Sequence, residues 1–328
     1  MKAQIIRRFG GPDAFETADM PSPSPGPGDV LIRAAAASIN PVDYKIRAAG
    51  PGIAPDLPAI LGCDVAGEVA AVGAEVTDFA VGDLVYGCVG GVKGLSGTYA
   101  EQVVADQRLI AKAPKALSLR EAAALPLATI TAWDGLDRAG VGAGTRLLVR
   151  GGAGGVGHLV LQLAKARGAM VVATVSSDDK AKLAQALGAD ATPNYTVETP
   201  EAIVAAHTDG DGFYAVYDAT GGRDLEGALA FAGLNGQVVT IVSQFTADLT
   251  LAHQKGLSLH VVFMLIPMLF NRGRQAHGAI LRQTAALVDA GQVRPHLDPR
   301  RFTLDDVADA HRHLESGQAV GKVVVDIA

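Results

Sequence analysis

The sequence predicts an α/β chain in which a β-rich first part is joined to a doubly wound parallel sheet. Three observations predict it. Residues 1 to about 120 are short β-branched runs punctuated by glycine and proline, the pattern of strands and turns. From about Ser118 onward apolar strands alternate with helical stretches, the order of a parallel sheet covered on both faces. Inside that second part, Gly151-Gly152-Ala153-Gly154-Gly155-Val156-Gly157 follows a strand and opens a helix.

The glycine stretch organises the chain. Thr145 to Arg150 before it is a β-branched and aliphatic run that reads as a buried strand. After it Val156, Leu159, Val160, Leu163 and Ala164 recur with the spacing of an amphipathic helix, which Gly168 is suited to end. Gly152, Gly154 and Gly157 fit G-x-G-x-x-G. The first allows a tight turn, the second a close approach of backbone to a pyrophosphate, and the third close packing of helix on strand. Free N–H groups at the helix start, here of Gly155, Val156 and Gly157, favour phosphates. With strand and helix both readable, the stretch is expected to bind a dinucleotide.

Size and composition bound the rest. A chain of 328 residues, 49% hydrophobic and 19% charged, has apolar material for two cores. A net charge of −6 without a basic tract argues against a nucleic-acid partner. Two cysteines, Cys63 and Cys88, form no framework and point to a reducing compartment. Residues 1–8 lack the apolar run of a signal peptide, and 257–270 is interrupted by His260 and Pro267 and too short to span a bilayer. A cytoplasmic protein with no membrane partner is expected.

In chain order, the proline-rich approach 21–29 leads to a strand at Val30–Ala35, and Ser38 to Arg47 reads as a loop. Leu61 to Gly73 reads as two short strands bent at glycines. Ser118 and Glu121 fit a capping box, and helical sequence continues through Leu136. Strands are expected at Leu147–Val149, Val171–Val175, near Ala191, at Ala215–Asp218, Val238–Val242 and Leu259–Leu265. Helices are expected at Lys180–Leu187, Leu225–Ala230, Ala276–Ala290 and Leu304–Ser316. The last strand, Lys322–Asp326, is expected to return to the first part.

Together these landmarks resemble the medium-chain dehydrogenase/reductase superfamily, in its zinc-independent quinone oxidoreductase branch. The resemblance rests on Ser38-Ile39-Asn40-Pro41-Val42-Asp43, Gly62 to Val69 with Val72-Gly73, Gly82-Asp83-Leu84-Val85, Tyr99-Ala100-Glu101, the glycine stretch and Gly321-Lys322-Val323-Val324. It implies a GroES-like barrel domain at 1–120, completed by 267–328, and a Rossmann cofactor-binding domain at 121–266. Zinc-dependent relatives place a cysteine where Asn40 stands and a histidine where Cys63 stands. Only Cys88 falls where their structural zinc needs four cysteines, so no metal is expected, and Cys63 reads as a small buried hydrophobe.

The second strand of the βαβ unit ends in Ser176-Ser177, where an NAD enzyme carries an acidic residue for the ribose 2′-hydroxyl. Room for a 2′-phosphate, with Lys180 beside it, favours NADPH; the resemblance adds Tyr195 to that site. The alternative is that Lys180 and Tyr195 are ordinary surface residues, and Asp178 and Asp179 would repel a phosphate if turned inward. The resemblance puts Asn40 near the nicotinamide with Asp43 in support, though both also suit a turn that bonds its own backbone. Tyr44 and Lys45 are the candidate proton or hydrogen-bond donors; as neighbours in an extended loop they are expected to point apart, and the resemblance favours Lys45, with a solvated surface lysine the alternative. Thr129 and Thr131 either line the nicotinamide or pack a helix. The eight histidines show no metal spacing.

The resulting expectation is an NADPH-dependent, zinc-independent reductase of quinones or α,β-unsaturated carbonyls. An NADPH-binding structural or regulatory protein and an alcohol dehydrogenase-like enzyme are the alternatives. The apolar edge Leu259–Leu265 is an aggregation hazard unless paired, so a homodimer joined there is expected.

Overall fold

The computed structural model describes residues 1–220 and 224–327. The chain divides into two compact units, one of Met1–Ile130, Leu265–Gly291 and Pro295–Ala328, the other of Thr131–Met264 and Gln292–Arg294.

The first unit opens with β1 (Lys2–Ile6), β2 (Phe15–Asp19), β3 (Asp29–Ile39), α1 (Pro41–Ala49), β4 (Ala59–Ile60) and β5 (Asp64–Val72). It continues through β6 (Leu84–Cys88), β7 (Gln102–Asp106), β8 (Ile110–Lys112) and α2 (Leu119–Ala123) to the start of α3 (Pro126–Arg138). Ser118 and Glu121 close the expected capping box on α2.

Three features differ from what the sequence predicts. The stretch expected as a loop is the end of β3 followed by α1. Pro41 stands at the first helical position, and Asp43, at the third, accepts the Asn40 backbone N–H at 2.7 Å, the arrangement of a capping box. Gly50, at φ 55°, ends the helix in the left-handed conformation. Second, 64–72 is one strand, not two. A Cβ on Gly67 would lie 2.1 Å from the Arg33 carbonyl oxygen, so glycine serves close approach of β5 to a bulged β3. Third, the main sheet is an open path, β5 lying along one side of β3. Eleven residues long, β3 is shared on its other side by β7 at Asp29–Arg33 and by the C-terminal strand at Ala36–Ile39.

The second unit is a parallel sheet with helices between its strands. It holds β9 (Arg146–Arg150), α4 (Gly157–Ala166), β10 (Met170–Thr174), α5 (Asp178–Ala186), α6 (Pro200–Thr208) and β11 (Phe213–Asp218). Then come α7 (Leu225–Leu229), β12 (Ala232–Thr240), α8 (Thr250–Lys255) and β13 (Ser258–Val261). The order is β10-β9-β11-β12-β13, and parallel bridges Val172–Ala191 and Val175–Asn194 extend it past β10. That is the strand order of a dinucleotide-binding sheet, with its switch point at β9, where the glycine stretch begins. Leu148, Phe213, Val216, Phe231 and Val238 are buried on one face of it. Each large apolar side chain so buried stabilises the unit by roughly 1.5–3 kcal/mol.

The edge strand β13 is shorter than expected. Val262 is buried and its N–H bonds Thr240 O at 2.9 Å, after which the chain turns away from the sheet. The chain then returns to the first unit through α9 (Ile266–Phe270), α10 (Gln275–Asp289), β14 (Phe302–Thr303), α11 (Val307–Glu315) and β15 (Val323–Asp326). β15 pairs antiparallel with β3, completing the first unit as the sequence implied.

Candidate functional site

In the second unit the glycine stretch turns directly off β9. Gly151 adopts φ 75°, and Gly154 N–H bonds back to Gly151 O at 2.9 Å. A Cβ on Gly157 would lie 2.1 Å from Gly151 O, so only glycine lets α4 start against the end of β9. On Gly154 the same atom would stand 3.2 Å from Gly151 O, and on Gly152 3.1 Å from the Ala173 Cβ. In the first turn of α4 the His158 N–H bonds Gly154 O at 3.1 Å and the Leu159 and Val160 N–H groups bond Val156 O at 3.0 and 3.1 Å, which leaves Gly155, Val156 and Gly157 to present N–H groups at the helix start. Two side chains that no sequence motif singles out hold the loop. The His158 ring Nδ1 lies 2.9 Å from Gly154 O. Arg150, leading into the loop, pairs with Asp224 and lies 3.9 Å from Asp218. The loop thus fits the diphosphate of a dinucleotide: Gly157 is demanded by backbone contact, Gly152 and Gly154 leave the turn open, and Gly152 to Gly157 lead into a helix N-terminus.

At the end of β10 the fold brings Ser176, Lys180 and Tyr195 to one place. Lys180 Nζ donates to Ser176 Oγ at 2.9 Å, and Tyr195 N–H bonds Val175 O at 3.1 Å, next to Ser176. Ser177 acts differently, its Oγ capping α5 by accepting the Lys180 backbone N–H. Lys180 and Tyr195 are exposed, as are Asp178 and Asp179 in the first turn of α5.

In the first unit, Asn40 and Asp43 sit in a buried polar cluster whose other members come from distant sequence. Asn40 Nδ2 donates to Asp64 Oδ2 at 2.8 Å, and Lys322 Nζ donates to Asn40 Oδ1. Lys322 Nζ is also 3.8 Å from Asp64 Oδ2. Asp64 accepts further bonds from Ser38 Oγ at 2.8 Å and from Leu127 N–H, at the start of α3, at 2.9 Å. Burial pushes the Asp64 carboxyl up and the Lys322 ammonium down; their attraction for each other opposes both shifts.

A second chain of bonds reaches Asp43 from the other side. Arg47, fully buried, pairs with Glu315 at 2.7 Å and places Nη1 3.0 Å from His311 Nδ1. A guanidinium only donates, so Nδ1 accepts and His311 carries its proton on Nε2. Nε2–H then donates to the Tyr99 oxygen at 3.2 Å, and Tyr99 O–H donates to Asp43 Oδ2 at 3.2 Å. Burial and the neighbouring Arg47 hold His311 down to about 3. Burial raises Asp43 to about 7, against the bond from Asn40 N–H. His313, two residues from His311, turns instead to Asp298 at 2.9 Å.

The remaining candidates are dispersed. Tyr44 is half-buried, its hydroxyl pushed up by burial and then by Glu315. Lys45 is exposed. On a helix the two diverge by about 100°, where an extended loop would have opposed them. Thr129 is fully buried, and its hydroxyl has no hydrogen-bond partner among the described residues. Thr131 lends its carbonyl to Tyr217 O–H at 2.8 Å. Cys63 and Cys88 are buried and unpaired, and the contact with Cys88 and burial push the Cys63 thiol well up. Among the described residues no group of three or more His, Cys, Asp or Glu is arranged to hold a metal ion. No helix among them is long and apolar enough to cross a membrane.

A family model described as alcohol dehydrogenase GroES-like domain matches residues 26–115, and one described as zinc-binding dehydrogenase matches residues 187–325. The chain is 38% identical to 2-methylene-furan-3-one reductase of Solanum lycopersicum over 99% of its own length and 79% of the relative's. It is 36% identical to the chloroplastic NADPH-dependent alkenal/one oxidoreductase of Arabidopsis thaliana, with the same coverage. Among solved structures, an alcohol dehydrogenase superfamily protein from Novosphingobium aromaticivorans superposes with a TM-score of 0.95 at 40% identity, covering all of both chains. Escherichia coli quinone oxidoreductase, solved with NADPH, superposes with a TM-score of 0.87 at 25% identity, over 99% of this chain and all of that one. The chain belongs to the medium-chain dehydrogenase/reductase superfamily, among its quinone and enone oxidoreductases.

Proposed function

We propose that the chain reduces quinones and α,β-unsaturated carbonyls at the expense of NADPH and without zinc. The observation that carries the reading is the likeness, along 99% of the chain, to an enone reductase. When bound, NADPH supplies the hydride. Gly152 to Gly157 hold its diphosphate at the start of α4, and Ser176, Lys180 and Tyr195 hold its 2′-phosphate. Thr129 offers the nicotinamide end a buried hydroxyl that lacks a partner among the described residues. Asn40 contributes a buried amide to the site of reduction, with Asp43 fixing the turn that carries it. Tyr44, half-buried, is better shielded from water than Lys45 as a source of the proton that completes the saturated product. The Lys322 ammonium already bonds Asn40, where zinc-dependent relatives place a ligand, and a second cation beside it would be repelled.

In quaternary structure, the apolar edge of β13 supports a homodimer. Val261 at its end is 47% accessible, and Phe263, just beyond it, is 40% accessible. Arg138 Nη1 donates to Val261 O at 3.1 Å, so this carbonyl is not free for a partner strand. Val261→Lys tests the pairing, because Val262 is buried and a charge there would damage the sheet itself. The unpaired thiols fit a cytoplasmic setting.

The deciding experiment is consumption of NADPH with 1,4-naphthoquinone and with trans-2-hexenal, alongside metal analysis of the purified protein. Turnover of either probe with far less than one zinc per chain is expected. Nucleotide binding without turnover would make the chain a binder, and chelator-sensitive turnover with stoichiometric zinc would overturn the metal-free reading.

A further inference from the structure

Asn40, Asp64 and Lys322 form an arrangement with only one chemically consistent orientation. An ammonium has no acceptor and a carboxylate no donor, so the Asn40 amide must turn Oδ1 to Lys322 and Nδ2 to Asp64. A rotation of the amide by half a turn would bring N–H against ammonium and oxygen against carboxylate. Asp64 is in turn fixed by Ser38 O–H and Leu127 N–H, and Lys322 precedes the first residue of β15, which pairs with β3 just before Asn40. The frame is therefore rigid and almost wholly buried, with Asn40 at 1%, Asp64 at 0% and Lys322 at 4% accessibility.

The bond from Nδ2 to Asp64 uses one of two amide hydrogens. A charge-assisted bond on Oδ1 draws electron density from the amide nitrogen and strengthens the other N–H as a donor. A buried N–H is normally paired, and enone or quinone reduction places growing negative charge on a carbonyl oxygen. A fixed donor aimed at that oxygen is worth more in the transition state than in the ground state.

We propose that Lys322 and Asp64 clamp the Asn40 amide so that its remaining N–H donates to the substrate carbonyl oxygen. Lys322 is then a positioning residue that acts through Asn40. This rests on the reading of the chain as a reductase of conjugated carbonyls.

The test is a double-mutant cycle on the full chain, with NADPH and trans-2-hexenal as probes. Lys322→Met keeps the stem and removes the cation. It should lower kcat by about 10²-fold, the usual scale for a displaced catalytic group, while NADPH affinity, read by fluorescence quenching, holds. Asn40→Ala should cost a similar factor. Because Lys322 acts through Asn40, the double variant should be no slower than Asn40→Ala alone. A lysine that merely supports the fold would instead give losses that multiply, and that result overturns the proposal, as does a folded Lys322→Met with unchanged kcat. If the lone substitution strands Asp64 and the chain fails to fold, Lys322→Met with Asp64→Asn restores charge balance and should show the same loss of kcat. Full activity in Asn40→Ala would sink the clamp while leaving the reductase reading intact. Absence of any turnover by the wild type, with trans-2-hexenal or 1,4-naphthoquinone, would sink both.

Discussion

The glycine loop of the second unit and the buried cluster of the first recruit their polar groups in opposite ways. The loop is made of backbone: a strand end, a turn that glycine alone permits, and the open N–H groups of a helix start, all within about ten residues of chain. The cluster is made of side chains whose partners are 24 residues away in Asp64 and 282 away in Lys322, counted from Asn40. One region is fixed by local sterics. The other is fixed by the balance between burying charges and pairing them, which exists only after β3, β5 and β15 have come together.

The largest expected effect tests the local half of that contrast. Gly157→Ala drives a Cβ against the Gly151 carbonyl, its carbon at 2.8 Å and Gly152 Cα at 2.9 Å, all backbone that no rotamer change can clear. It should cost more than about 3 kcal/mol of stability, beyond the usual range for overpacking, and abolish NADPH binding. Gly154→Ala meets only the Gly151 oxygen, at 3.2 Å. It should leave the melting temperature nearly unchanged yet still weaken NADPH, if this glycine serves approach to the diphosphate. Equal losses of stability in both variants would mean that the loop is steric throughout and that the distinction between its glycines is wrong.

The same contrast explains what can be read in the sequence. The βαβ unit, the Ser118–Glu121 capping box and the return of the last strand are legible, because periodicity, glycine and caps act over a few residues. The helix after Asn40 is legible in principle, through Asn-Pro-x-Asp, but the same proline is also a turn signal. Its flanking strand β3 ends at Ile39, so the helix begins without the polar run that usually marks a loop. Gly67 suggests a bend for a related reason: its real constraint is the Arg33 carbonyl across the sheet, which sequence does not display. Asp64 and Lys322 stand in recognisable stretches, yet nothing near either one names its partner. Nor does any local signal connect His311 with Tyr99, or Tyr99 with Asp43.

The next effect bears on the buried cluster and is set by pH. Burial raises Asp43 to about 7, above the ordinary carboxylate value of about 4. Between those values the folded chain holds a proton that the unfolded chain has released. Stability should therefore fall as pH rises from about 4 to about 7 and change no further from this group above that. Asp43→Asn is neutral throughout and still offers the Asn40 N–H an oxygen. Its melting temperature relative to wild type should climb across the window, by an amount worth on the order of 3 kcal/mol. His311 runs the other way. Its folded value of about 3 lies below the ordinary imidazole value, so stability from it is lost as pH falls from about 6.5 toward 3. The Asp43 comparison cancels that contribution, since both chains share it. A difference that stays flat from pH 4 to 8 would show that the network from Arg47 through Tyr99 keeps Asp43 ionised in the folded chain.

The smallest effect lies at the surface, where neither sterics nor burial holds the geometry. Lys180, in the first turn of α5, reaches back to Ser176 ahead of the helix, in solvent, with Asp178 and Asp179 beside it. A lysine there that meets the 2′-phosphate forms a charge-assisted bond, but screening and competing carboxylates reduce its worth. Lys180→Ala should weaken NADPH by about 10-fold, equivalent to about 1.4 kcal/mol, and leave NADH as it was. Raising salt should narrow the gap between wild type and variant, because the attraction is exposed. Ser176→Ala should cost less, since a hydroxyl adds a hydrogen bond without charge. If Lys180→Ala weakens both nucleotides alike, the lysine supports the loop without reading the phosphate. Discrimination between the cofactors would then have to come from the open space that Ser176 leaves where an acidic side chain would stand.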